Sequence, residues 1–209
     1  MIRKKVKKWE NEVEKMQEKN EYFSNAKVIA KKKIYFKEIE STQTEAKKLA
    51  EEGIENGTIV YTDYQTKGMG THDRIWYSEK NKNIAFTLIL YPKCTVEELQ
   101  DFTVDIAKCM NNAIDKLYSC KLEIKEPNDI VYQGKKIGGI LTQIVTSGET
   151  IRYLLIGIGM NVNGEKFPTE LKETATSLKK EFGREFSKEE IMACFCQEFE
   201  KYCLRKKIL

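Results

Sequence analysis

The sequence predicts an α+β domain: a central, largely antiparallel mixed sheet with helices packed on it. Three observations lead there. Strand-like runs cluster in the second half of the chain, where "NDIVYQ", "KKIGGILTQIVT" and "TIRYLLIGIGMNV" follow one another closely. The turns between them, "GK" at Gly134 and "SGE" at Ser147, are too short for a crossover helix, so these strands must run antiparallel. Helical spacings lie before and after the cluster rather than between its members, which excludes the alternating units of a doubly wound fold.

The elements follow in chain order. Residues 1–23 space Ile2, Val6, Trp9, Val13 and Met16 alternately by four and three, an a/d helical seam in a basic segment. Residues 1–32 are therefore expected to form a basic amphipathic helical extension of a domain that spans 33–209. An isolated helix of this length is marginal in water and must dock on something. Its stripe packs on its own domain, or residues 2–16 join a partner helix and make the chain a homo-oligomer; a basic nucleic-acid arm is the third reading.

From Lys33, "KIYFKEIE" alternates as a strand. Thr42 then reads as a helix cap, with Glu45 completing a capping box and Gly53 ending the helix. "GTIVYTDYQ" is a second strand, and "NIAFTLILYP" is apolar enough to be a buried one. Residues 95–118 carry Val96, Leu99, Ile106, Met110, Ile114 and Leu117 at helical spacing. Ser187 and Glu190 form another capping box, opening a last helix whose inner face holds Ile191, Cys194, Phe195, Phe199 and Tyr202.

A chain of 209 residues suits one domain with a sizeable core, and 33% charged residues give it a heavily charged surface. No run approaches the ~20 apolar residues of a membrane span. The N-terminus lacks the apolar core of a signal peptide, so a cytoplasmic location is expected. Cys94, Cys109, Cys120, Cys194, Cys196 and Cys203 show no CxxC spacing, and with His72 as the only histidine a zinc site is not expected; reduced buried thiols are. The net charge is +4, but residues 1–33 hold eleven Lys/Arg against five Glu, which leaves the body at −2. The body is thus no general polyanion binder.

The stretch "QTKGMGTHDRIW", Gln65 to Trp76, carries Gly68 and Gly70 one residue apart. Walker and dinucleotide loops lead from a strand into a helix, whereas this one leads into "WYSEKNKNIAFTLIL", a turn and a strand, and lacks a GK[ST]. Two readings remain. The Gly68 and Gly70 amides line an anion site, with Arg74 pairing a phosphate or carboxylate and Trp76 as an apolar wall, or the stretch is a mobile surface turn. Two further stretches weigh toward a ligand. In "KEPNDIVYQGKKIGGIL", Asp129 is placed to hold a metal ion or orient a basic group, Lys136 follows, and Gly138 and Gly139 soften a strand. "IGIGMNVN" is a second glycine-softened strand. Together they favour a ligand buried against the sheet.

The ordered set "ESTQTEA", "QTKGMGTHDRIW", "KEPNDIVYQGKKIGGIL" and "IGIGMNVN" resembles the catalytic domain of biotin protein ligases, over the chain from about Lys33 onward. The resemblance implies an ATP- and Mg2+-dependent enzyme that converts biotin to biotinyl-AMP and passes the biotinyl group to a lysine of a biotin carboxyl carrier protein domain. It implies that Ser41, Thr42 and Gln43 stand where the family's Ser-Thr-Asn motif meets the biotin head group, and that Gln65 touches biotin. It places Gly68, Met69, Gly70, Thr71, Arg74 and Trp76 in the loop that folds over the biotin chain and adenylate. Lys136 matches the lysine that binds the biotin carboxylate and later the acyl-phosphate oxygens. Asp129, after Asn128, matches the Asp of the "PND" motif near the phosphates and magnesium, and Gly139 and Asn161 match pocket-lining positions.

The departures sit mostly in the loop. Met69, Thr71 and His72 stand where the family usually has arginine, and Asp73 where it has glycine; only Arg74 keeps the charge. Gln43 replaces the family's Asn and Glu126 its Trp. Met and Thr cannot reproduce an Arg–phosphate pair, so an active ligase that holds its adenylate loosely is one expectation. A lipoate or octanoate ligase or transferase shares fold and lysine, and is the alternative enzyme; "STQ" and "QGKKIGGIL" favour biotin. A biotin-binding protein that has lost turnover is the third. In place of the DNA-binding winged helix of some members stands the helical extension, so no DNA partner is expected, and the small all-β C-terminal domain of many members is expected to be absent. Lys67, Lys80, Lys82, Lys135 and Lys136 are expected to form the basic surface that receives an acidic carrier.

Overall fold

The computed structural model describes residues 26–209, so the helix expected over 1–23 and its oligomer seam lie outside the described residues. Seven strands form one sheet: β1 (Lys33–Phe36), β2 (Ile59–Thr62), β3 (Ile84–Leu90), β4 (Glu123–Lys125), β5 (Asp129–Tyr132), β6 (Lys135–Ser147) and β7 (Thr150–Met160). Their order is β1-β2-β3-β7-β6-β5-β4. Only β1 and β2 run parallel, joined by the crossover helix α1 (Thr42–Glu51); every other neighbouring pair is antiparallel. The expected mixed, largely antiparallel sheet is what forms.

The turn chemistry sets the register of the long hairpins. Tyr132 pairs with Lys135 around Gln133 (φ 48°) and Gly134 (φ 78°), a two-residue turn with both central residues left-handed. That turn matches strand twist, so β6 and β7 can run on for 13 and 11 residues and carry the centre of the sheet.

The two faces of the sheet differ. Helices α2 (Phe102–Tyr118) and α4 (Lys188–Arg205) cover one face with the main core. There Phe86, Leu88, Ile140, Leu154, Ile156 and Ile158 meet Ile106, Met110, Phe195 and Phe199, with Phe195 and Phe199 stacked at 5.5 Å between ring centres. On the other face α1 lays Ala46, Leu49 and Ala50 over Ile34, Val60, Ile89 and Leu155. Strand β7 alternates Ile156, Gly157, Ile158, Gly159 and Met160: the large residues go to the main core and the glycines to the α1 face. Beyond the end of α1 that face therefore has a shallow floor.

Three expectations change. The cap of α1 is Ser41, not Thr42: the Ser41 hydroxyl accepts the Gln43 N–H at 3.2 Å, because the Thr42 hydroxyl is committed to Gln65. Helix α2 begins at Phe102, after a 3-10 turn at Glu97–Leu99 and a left-handed Asp101 (φ 59°). That break lets Leu99 and Phe102 both reach the core, leaving Val96 on the surface. Strand β4 and the five-residue helix α3 (Leu178–Phe182) are too short to carry a period and were not anticipated. The box at Ser187 forms with an insertion: Ser187 Oγ accepts the Glu190 N–H, while the Ser187 N–H donates to Tyr118 Oη, which donates to Glu190.

Glu200 of α4 is buried on the main-core side and accepts three backbone amides, Lys27, Val28 and Ile29, at 2.7 to 2.8 Å. This ties the segment before β1 to the last helix. The cysteines are all unpaired, five buried and Cys94 half-buried, as expected. Among the described residues no helix is long and apolar enough to cross a membrane.

Candidate active site

The open part of the α1 face is a cavity of about 370 Å³. At one end the first turn of α1 meets β3 and the residue that follows the edge of β2. Ser41, Thr42, Gln43, Gln65 and Thr87 are all buried there and bonded to one another. The Thr42 N–H and hydroxyl both donate to Gln65 Oε1, at 2.8 and 3.0 Å. The Thr87 hydroxyl stands 3.0 Å from Thr42 Oγ1 and from Gln43 Oε1, and Gln43 Nε2 donates to Gln143 Oε1 at 3.1 Å. Because Gln65 Oε1 is held by a backbone N–H, its amide nitrogen must face away from α1. The groups left over at this end are the Ser41 hydroxyl proton, the Gln65 amide N–H and a lone pair on Thr42.

The floor is the glycine strip. A Cβ on Gly157 would lie 2.5 Å from Gln43 Oε1, and one on Gly159 would lie 2.4 Å from Trp76 Cε2. A Cβ on Gly139 would meet Trp76 Cζ3 at 3.1 Å and Lys136 Nζ at 3.2 Å. These glycines exist because other side chains lie flat across the strands. Gly138 points the other way, toward Ile130 of the main core.

At the far end Lys136 Nζ contacts Asp129 Oδ1 at 2.6 Å and sits 5.4 Å from the centre of the Trp76 ring. Backbone bonds of Lys136 to Thr174 and Thr176 fix its strand position, and Asn128 is held to Ile140 through both backbone and side chain. Asn161, also in the wall, accepts from Asn83 at 3.3 Å. Among the described residues no cluster of three or more His, Cys, Asp or Glu could cage a metal ion.

The loop from Gly68 to Trp76 is a small closed hairpin. Trp76 N–H donates to Gly68 O at 2.8 Å, Gly70 N–H to Arg74 O at 2.7 Å, and Met69 bridges Ile75. Two expectations are corrected here. The Gly70 amide is taken by Arg74 and offers no anion site, and Gly68 does not line the cavity; it is small because a Cβ would lie 2.5 Å from Trp76 O. Arg74 lines the cavity but is exposed and folds onto its own loop, its guanidinium donating to the Thr71 carbonyl at 3.2 Å and hydroxyl at 3.1 Å. The basic surface is also smaller than expected, since Lys67 pairs with Glu40 and Lys80 with Glu38.

Apart from Gly68, every residue to which the resemblance gives a place in the site lines this one cavity: Ser41, Thr42, Gln43, Gln65, Met69, Gly70, Thr71, Arg74, Trp76, Asn128, Asp129, Lys136, Gly139 and Asn161. Among the wall residues that were missed, five shape the cavity most clearly. Gly157 and Gly159 were visible as the glycines of "IGIGMNVN", and alternation with isoleucine was the signal that they share a face. Lys125 stands across from Asp129 on the unanticipated β4. Phe167 and Leu171 belong to an irregular stretch before α3, where a lone aromatic among polar residues was the only sign.

The profile of the biotin/lipoate A/B protein ligase family matches residues 35–161. A curated relative, the bifunctional ligase/repressor BirA of Bacillus spizizenii, is 35% identical over 181 residues, covering 84% of this chain and 56% of that protein. The chain thus spans little more than half the length of that relative. The biotin protein ligase of Aquifex aeolicus, solved with biotin and ATP, superposes with a TM-score of 0.72 at 29% identity, covering 85% of this chain and 72% of that one. The Leishmania major biotin protein ligase, solved with biotinyl-5-AMP, gives 0.68 at 26%, covering 84% and 76%. With the profile spanning β1 to the end of β7 and the cavity built inside that span, this chain belongs to the biotin/lipoate A/B protein ligase family.

Proposed function

We propose that this chain activates biotin with ATP as biotinyl-AMP and transfers the biotinyl group to a lysine of a biotin carboxyl carrier domain. The observation that carries the reading is the closed end of the cavity. Two donors, Ser41 O–H and Gln65 N–H, and one acceptor, Thr42 Oγ1, converge in a buried place, which suits a cyclic urea: its carbonyl takes the donors and its N–H meets the acceptor. An alkyl chain or dithiolane would leave those groups desolvated and unpaired, so octanoate and lipoate are disfavoured. The relatives solved with biotin and ATP and with biotinyl-5-AMP support the same ligands.

The chemistry needs charge and alignment more than proton transfer. A carboxylate is already ionised at neutral pH, so it attacks the α-phosphorus without a base, forming the acyl–phosphate bond as pyrophosphate leaves. Lys136 is placed to hold the carboxylate and then the acyl-phosphate oxygens; its partner Asp129, 2.6 Å away, orients it. Magnesium suits one carboxylate plus substrate phosphates, which makes Asp129 its protein ligand, and it would neutralise phosphate charge there. Trp76 shields the reacting end from water. In the second step the carrier amine attacks the acyl carbon, AMP leaves, and the amine loses a proton.

Arg74 must release Thr71 to reach a phosphate, and Met69 and Thr71 carry no charge to help it. The adenylate is therefore held more by pocket shape than by loop cations, and some escapes. Isotope exchange between labelled pyrophosphate and ATP tests the first step with biotin, lipoate and octanoate in turn. Biotin-dependent exchange is expected, with Lys136→Ala abolishing it; exchange only with lipoate or octanoate would overturn the assignment. Biotinyl-AMP appearing in solution during turnover would support the loose loop, and its absence would sink that part.

A further inference from the structure

The cavity wall that carries Phe167 belongs to no strand or long helix. Phe167 is buried and lines the cavity, and Leu171 follows at the end of the 3-10 turn Thr169–Leu171. Before this stretch Asn163 is fixed. Its N–H donates to Lys82 O at 2.9 Å, its Nδ2 donates to Phe186 O at 2.8 Å, and its Oδ1 accepts the Phe186 N–H at 3.0 Å. After the stretch, the Lys136 N–H donates to Thr174 O at 2.8 Å and the Thr176 N–H to Lys136 O at 2.9 Å. Between these anchors, among the described residues, the backbone of 164–171 is hydrogen-bonded to the rest of the chain through one side chain. Glu79 Oε2 accepts the Glu165 N–H at 2.9 Å and the Lys166 N–H at 3.0 Å. Resting on the reading that the chain makes biotinyl-AMP, we propose that Glu79 is a positioning residue for the nucleotide half of the site, acting through the Phe167 wall.

Glu79 is itself firmly mounted. It lies three residues beyond Trp76, in a turn where the Lys82 N–H donates to Glu79 O at 3.2 Å and the Asn81 N–H to Asp63 O, just past β2, at 3.0 Å. The turn ends in buried Asn83, whose Oδ1 accepts the Val162 N–H at 3.1 Å. Residues 79–83 thus grip the chain leaving β7 through the N–H groups of Val162, Asn163, Glu165 and Lys166. Gly164 fits inside the grip because a Cβ there would lie 2.9 Å from Asn83 Oδ1 and 3.4 Å from Glu79 Oε2. Successive amides converging on one point need a strong acceptor, and a carboxylate oxygen takes both. One short segment therefore joins the two walls of the cavity, Trp76 on its near side and Phe167 on its far side.

The ligand's layout decides which half feels this. With a urea at the closed end and the carboxylate at Lys136, the nucleotide is left the part of the cavity that includes Phe167, Leu171, Thr174 and Ala175. Glu79 does not line the cavity, so it touches no substrate and acts only by where it holds the wall.

Two variants separate this from general packing. Glu79→Gln keeps an oxygen that accepts both amides, and Glu79→Ala removes it. Hydrogen exchange is expected to show the Glu165 and Lys166 amides protected in the wild type and the Gln variant but open in the Ala variant, with β3 and β7 unchanged. In biotin-dependent pyrophosphate exchange, the KM for ATP is expected to rise about 10-fold in the Ala variant and less than ~3-fold in the Gln variant. Biotin affinity by calorimetry without ATP is expected to stay within ~2-fold of wild type in both. An unchanged ATP KM in the Ala variant, a Gln variant as impaired as it, or equal weakening toward ATP and biotin overturns the role of Glu79 while leaving the function standing. A wild-type chain that exchanges label with no acid overturns both.

Discussion

One sheet serves two purposes here, and its faces are built by different rules. On the α2–α4 face the strands present Phe86, Leu88, Ile140, Ile156 and Ile158, each buried among large neighbours. On the α1 face, the same strands present Thr87, Gly139, Gly157 and Gly159, and the volume is filled by Gln43, Trp76 and Lys136 reaching over them. The first face stores stability in area removed from water; the second gives it up to hold three side chains at fixed heights above a floor. Stability and activity should therefore be separable by face.

The largest expected effect lies on the core face. Phe195→Ala removes a ring fully buried against Phe86 and Phe199 and should cost about 4 kcal/mol, lowering the melting midpoint by about 10 °C. Biotin-dependent exchange per folded molecule, measured well below the midpoint, should change less than ~2-fold. A loss of exchange matching the loss of stability would break the comparison.

Next is its mirror image, Gly159→Ala. The added methyl group overlaps the Trp76 indole, displacing the wall beside Lys136, so exchange should fall about 100-fold with a midpoint shift of only ~2 °C. A midpoint drop as large as that of Phe195→Ala, with exchange intact, would mean that the indole packs for stability alone.

The smallest effect sharpens the comparison with Glu200, the one carboxylate among the buried polar side chains of the described residues. Burial pushes the Glu200 pKa up, but the Lys27, Val28 and Ile29 amides outweigh it and hold the carboxyl below the usual glutamate range. A depressed folded-state pKa means stability that is present above the unfolded value and lost as pH falls through the folded one. Glu200→Gln should cost about 2 kcal/mol at neutral pH and flatten the fall in stability below about pH 4. Denaturant titrations across that range check it; identical acid slopes in both chains would remove the carboxylate from the account.

Much of this was legible in the sequence, for a physical reason. Long strands with tight turns declare their pairing locally, so β6 and β7 were recognised from their strand-like runs and the turns "GK" and "SGE" that separate them, and the glycines pointed to a ligand against the sheet. What escaped was decided by distant partners. Thr42 looks like a cap because caps are local, but Gln65, across the sheet edge, claims its hydroxyl. Arg74 is legible as a cation and not as one already engaged by Thr71. The stretch holding Phe167 and Leu171 has no period at all; it becomes a wall only because β6 binds Thr174 and Ala175 beside Lys136.

The fate of the cysteines has a practical sequel. Burial pushes the Cys109 and Cys196 thiols up to about 12 and raises Cys94, Cys194 and Cys203 as well. At neutral pH those sulfurs are almost wholly protonated and slow to alkylate. The molecule thus provides a quiet background for maleimide chemistry. A cysteine placed at exposed His72, on the tip of the loop hairpin, would take a fluorophore selectively and turn the opening of the Arg74–Thr71 clasp into an optical signal.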